Sequence, residues 1–66
     1  MEREELFKKF KVAIDNEYEA HLFYKEIAEK SGSPELKVIF ERLASEELDH
    51  HHLIMKRYRI LKELAE

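Results

Sequence analysis

Along the first half of the chain apolar residues return in alternating steps of four and three, at Leu6, Phe10, Ala13, Ala20, Tyr24 and Ile27, with Glu17 where an apolar residue is due. That spacing is the stripe of a helix packed along one seam. A second line at Phe7, Ile14, His21 and Ala28 widens the stripe, and neither Gly nor Pro occurs between Glu2 and Lys30. The pattern predicts a helix over about 3–30. Ser31-Gly32-Ser33-Pro34-Glu35 then carries the signals for a stop and a restart: Gly32 for a left-handed C-terminal cap, Ser33 as N-cap, Pro34 at the first helical position and Glu35 against the dipole. After this turn over 31–34 the stripe resumes at Leu36, Phe40, Leu43, Ile54, Tyr58, Leu61 and Leu64 or Ala65, with Glu47 and His50 in apolar places. A second helix is expected over about 34–64, and so short a connection makes the two helices antiparallel neighbours.

The expected fold class is therefore all-α, a single antiparallel two-helix hairpin over residues 1–66 with no linker, no low-complexity tract and no repeat beyond the loose symmetry of its helices. A hairpin this apolar on one face needs a partner. Two hairpins packed face to face make a four-helix bundle, and a two-fold homodimer is the simplest closed arrangement. Leu22 and Phe23 lie off the main stripe, where they can pack one dimer against another in a larger ring-like oligomer.

Composition narrows the picture. A monomer of 66 residues buries only roughly 60% of the surface its unfolded chain exposes. The absence of cysteine excludes disulfides, thiolate zinc sites and haem attachment, which leaves metal binding or oligomerisation as staples. Charged residues are 41% of the chain, but 12 basic against 15 acidic side chains leave a net charge of −3, so no field dominates and nucleic acid is not an expected partner. Met1-Glu-Arg-Glu-Glu5 is acidic rather than a secretory signal, and no apolar run approaches the roughly 18 residues of a membrane span. A soluble cytoplasmic protein with no membrane partner is expected.

The candidate chemistry lies in the three residues that break the stripe. Antiparallel helices that turn near residue 32 bring together residues whose numbers sum to about 65. Glu17 sums with Glu47 to 64 and with His50 to 67, so all three fall at one height. A lone seam Glu is ordinarily an edge residue reaching water, and a lone core His ordinarily bonds to backbone. Three such residues at one level are a different matter, since a desolvated Glu pair is costly unless it is protonated or neutralised. A carboxylate and an imidazole one turn apart can reach one metal ion. Dimer symmetry would double the set to four carboxylates and two imidazoles, which balance two divalent cations; oxygen-rich ligation with one His per metal suits iron or manganese and tolerates zinc.

These residues resemble a known family. Ala13-Ile-Asp-Asn-Glu17-Tyr-Glu-Ala20-His-Leu-Phe-Tyr24 is similar to the first-helix motif of rubrerythrin-like proteins of the ferritin superfamily, and Ile39-Phe-Glu-Arg-Leu-Ala-Ser-Glu-Glu47-Leu-Asp-His50 to the second. The likeness covers about residues 10–55. Its architecture is nearest that of the encapsulated ferritins, in which a hairpin is half of a ferritin-like four-helix bundle and a di-iron ferroxidase centre forms between two subunits. One Glu from each of two helices and Glu-x-x-His from each of the others is the known ligand pattern of such bundles, so the match is a likeness rather than a derivation.

The resemblance implies that Glu17, Glu47 and His50 are metal ligands and catalytic residues, that two iron ions bind per dimer with zinc or manganese as substitutes, and that Tyr24 lies just behind the ligands. It implies a ferroxidase that oxidises Fe(II) with dioxygen or peroxide in iron storage or detoxification, with an encapsulin-type compartment as a further partner. The alternatives are a rubrerythrin-like peroxide reductase and a redox-inert, metal-clamped dimerisation module. The second hairpin and the Cys-rich rubredoxin domain of full rubrerythrins, and the C-terminal extension that addresses encapsulated ferritins to their compartment, are not among residues 1–66.

Neighbouring residues sort by helical angle. His52 points away from the stripe and reads as surface; His51 reads as support for the ligands or as a ligand of adventitious zinc. His21, four residues after Glu17, reads as support or as packing at the core edge. Glu46 and Glu19 face solvent, although in stacked dimers Glu19 could join an iron-access site between them. Tyr24 and Tyr18 are candidates to give an electron or a hydrogen bond in dioxygen chemistry, against the plain reading of a packed ring with a satisfied hydroxyl.

Overall fold

The computed structural model describes residues 1–65 and consists of two helices, α1 (Arg3–Lys30) and α2 (Pro34–Ala65). Among the described residues there is no strand, and the two helices pack along their whole length as an antiparallel hairpin. The Cα atoms extend over 49 × 16 × 13 Å, two helix diameters in cross-section at most.

Local chemistry sets the ends. Glu4 and Glu5 sit in the first turn of α1 and Lys30 in its last, where each sign suits the helix dipole. Lys30 also pairs with Glu26 one turn back at 2.8 Å. Gly32 reverses the chain at φ 70°, in the left-handed region that its missing Cβ makes accessible. The Ser33 hydroxyl then accepts from the Leu36 amide at 3.4 Å, and the Ser33 carbonyl from Lys37 N–H at 2.9 Å, which starts α2 immediately after the turn.

Aromatic pairs hold the two ends of the seam. Phe7 meets Tyr58 edge to face with ring centres 5.5 Å apart, and the Arg3 guanidinium lies over the Phe7 ring, 5.8 Å from its centre. Nearer the turn, Tyr24 packs on Phe40 at 5.9 Å. Residue numbers in both pairs sum to about 65, so the register expected from the loop length is the register of the fold.

Burial is shallow. Ala28 and Ala44 are the buried hydrophobic residues among those described. The seam runs between the main stripe and the line Phe7, Ile14, His21 and Ala28, and leaves part of the main stripe open. Leu6, Leu36, Leu61 and Leu64 on that stripe remain exposed, as do Ile39 and Leu53. The Ala65 alternative for the end of the stripe lies outside the described side chains. A radius of gyration of 15.1 Å exceeds the roughly 11 Å of a compact chain this long, as the elongated shape of a two-helix hairpin requires.

Candidate metal centre

Midway along the open side of the seam, α1 presents Glu17 and α2 presents Glu47 and His50, one turn apart. One ligand atom from each lies within 4.8 Å of the other two. His50 Nδ1 stands 3.6 Å from Glu17 Oε2 and 3.9 Å from Glu47 Oε2. These separations are too long for hydrogen bonds, and they leave a gap between atoms that converge on one point. Each side chain offers a lone pair to that gap when His50 is neutral.

The electrostatics are those of a site short of positive charge. Glu17 Oε2 is buried and has no hydrogen-bond partner among the described residues. An orphaned carboxylate oxygen is costly, and its cost disappears if a cation sits against it. The Glu47 carboxyl is held above the ordinary carboxylate range, first by a hydrogen bond with Glu17, then by partial burial and by the Glu17 charge, with His50 opposing. Without a cation Glu47 takes up a proton more readily than a free carboxylate does. The donor set of two carboxylates and an imidazole fits a hard or borderline divalent ion such as iron, manganese or zinc.

The other residues singled out from the sequence take definite places. His21 and His51 bond across the seam to main-chain carbonyls, His21 Nδ1 to Ala44 O at 2.7 Å and His51 Nδ1 to Ile14 O at 2.9 Å. Each bond contributes about 1 kcal/mol to holding the hairpin together. Neither ring is one of the three converging groups. Tyr18 lies over both rings, 5.9 Å from His21 and 5.2 Å from His51. Tyr24 packs against Phe40 and Phe23 and is not among the converging groups. Glu19 is exposed and lines a shallow hollow of about 260 Å³ with Asp15, Tyr18 and His51. Glu46 and His52 are exposed, with His52 beside the His51 ring.

No helix among the described residues is long and apolar enough to cross a membrane. Comparison with curated proteins finds no match, and comparison with solved structures finds none either. The family model for rubrerythrin matches residues 8–66, nearly the whole chain, and so takes in both helices and all three converging side chains. With a helical hairpin, a possible Glu/His metal site and a match of that extent, the chain belongs to the rubrerythrin family, within the ferritin-like group of iron-binding proteins.

Proposed function

We propose that two copies of this hairpin pair through their open faces into a four-helix bundle, and that the paired site oxidises Fe(II) to Fe(III) with dioxygen or peroxide. The observation that carries the proposal is the buried, unpartnered oxygen of Glu17 facing Glu47 and His50 with ligand atoms inside 4.8 Å. Pairing is supported by the apolar residues left exposed along the hairpin and by a hollow lined by Phe10 of α1 and Leu53, Ile54 and Leu61 of α2. A second copy is the natural cover for such a surface, since it brings the same residues in complementary arrangement and doubles the carboxylates.

Fe(II) is substrate here, and the electrons it loses go to the oxidant. The side chains do the rest. Glu17 and Glu47 supply the negative charge that draws Fe(II) in and that favours the more highly charged product. His50 adds a neutral nitrogen donor, so the site is not charged beyond balance. The apolar flanks from Leu36 to Leu61 exclude bulk water and keep the carboxylates dependent on cations. Iron storage or detoxification is the setting in which such a protein is useful.

Rapid mixing of the anaerobic, Fe(II)-loaded protein with aerated buffer tests the proposal. Oxidation should run well above the buffer rate and stop in proportion to protein. The family match favours a second reading, in which peroxide is the physiological oxidant. Parallel mixing with peroxide separates the two, because a peroxide reductase oxidises the loaded protein faster with peroxide and turns over when a reductant is supplied.

A further inference from the structure

Helix α2 repeats a short pattern of α1 at an offset of thirty residues: Glu17-x-x-x-His21 in the first, Glu47-x-x-x-His51 in the second. In the folded hairpin the two histidines do the same thing in opposite directions. His21 reaches from α1 to the carbonyl of Ala44, three residues before Glu47. His51 reaches from α2 to the carbonyl of Ile14, three residues before Glu17. Each acceptor is therefore one turn ahead of the carboxylate on its own helix, and the two bonds bracket the level of Glu17, Glu47 and His50 from above and below.

The chemistry fixes the form of each bond. A helix carbonyl already accepts its own amide and can only accept again through its second lone pair, so the histidine must donate. The donating atom is Nδ1 in both rings, which requires the Nδ1–H tautomer and leaves Nε2 unprotonated in the neutral ring. Neither ring is among the groups that converge on the ligand gap. A slip of one helix along the other by a single residue, about 1.5 Å, would strain both bonds together and carry Glu17 off the level of Glu47 and His50.

The geometry points to His21 and His51 as a pair of register clamps, positioning residues that hold Glu17 level with Glu47 and His50 so that one cation can meet all three. This inference rests on the metal-binding reading of the site, and it assigns neither histidine a ligand role.

The test has a metal-free arm and a metal arm. In the metal-free wild type, ¹⁵N–¹H spectra at fixed neutral pH should show His21 and His51 as Nδ1–H tautomers and exposed His52 as the Nε2–H form usual in water. Nε2–H tautomers at positions 21 and 51 would overturn the clamps whatever the site binds. For the metal arm, Co(II) serves as the spectroscopic probe. The double variant His21→Phe/His51→Phe keeps ring volume without the donor; while still helical, it should bind Co(II) roughly 10- to 100-fold more weakly. Adding Glu17→Gln to it should cost nothing further, because Glu17 has already been lost from the ligand set. His21→Asn/His51→Asn puts an amide N–H where Nδ1 was and should restore much of the affinity and the wild-type absorption bands, whereas Gln, whose amide sits at the Nε2 position, should not.

A folded Phe variant with wild-type affinity and spectrum would overturn the proposal, and so would a loss that adds in full to that of Glu17→Gln. If the wild type shows the expected tautomers yet takes up no Co(II), the metal reading itself fails and the positioning role falls with it.

Discussion

Replacing Glu17 by Leu separates what this residue does for stability from what it does for metal. In the metal-free chain Glu17 is a net cost: one of its oxygens is buried without a partner, its side chain is only 28% exposed, and it holds Glu47 in an unfavourable pairing. Leu at that place removes a desolvated polar group worth about 1–3 kcal/mol. Burying most of its own side chain adds about 1–2 kcal/mol. Repacking offsets part of this, so a net gain of about 2 kcal/mol at neutral pH is expected, or about 8–16 °C in melting temperature for a chain of this size. The same change deletes a ligand, so the rise in melting temperature on adding Mn(II) or Zn(II) to the wild type should vanish in Glu17→Leu. Circular dichroism melts of both proteins, metal-free and with metal, measure all four values. A metal-free Glu17→Leu protein less stable than wild type would refute the account of Glu17 as a strained ligand. An undiminished metal response would refute it as surely.

Further outcomes follow from the same geometry. Because the folded-state pKa of Glu47 is raised, the folded protein binds its proton more tightly than the unfolded chain does. The contribution of Glu47 to metal-free stability should therefore be fully present below the ordinary carboxylate value and be lost as pH rises through the raised Glu47 value, a component of the pH dependence that Glu47→Gln should remove in denaturant titrations. Stripping metal with a chelator at neutral pH should lower the melting temperature, by an amount corresponding to about 2.7 kcal/mol where free metal had been at a hundred times its dissociation constant, and acidification should narrow the gap. Gly32→Ala should cost about 1 kcal/mol by urea unfolding without changing metal affinity, since φ 70° strains any Cβ although nothing lies near enough to clash with it.

Much of the hairpin was legible in the sequence because its determinants are local. Heptad spacing predicts each helix, and the Ser31-Gly32-Ser33-Pro34 break leaves only one connection geometry to consider. Register then follows from loop length, and register alone brings Glu17 to the level of Glu47 and His50. The depth of burial was less legible. Both lines of α1 share the seam at similar exposure, with Ala28 its buried residue, and how far each side chain is covered depends on how all of them fit together.

The cross-helix bonds of His21 and His51 were the least visible. Their spacing from Glu17 and Glu47 could have flagged them through the thirty-residue offset, but which ring nitrogen meets which carbonyl depends on rotamer and backbone approach. The same is true of the raised pKa of Glu47. It arises from a distance between two helices that no local pattern encodes.

The central claim is that Glu17, Glu47 and His50 form an iron-oxidising site when two hairpins meet. Anaerobic titration with Fe(II) followed by exposure to air tests it most directly, with wild type and Glu47→Ala side by side. The account predicts fast oxidation in the wild type that saturates at about one Fe(II) per chain, two per four-helix bundle, and oxidation at the buffer rate in Glu47→Ala. Oxidation at the buffer rate in the wild type, or equal rates in the two proteins, would contradict it.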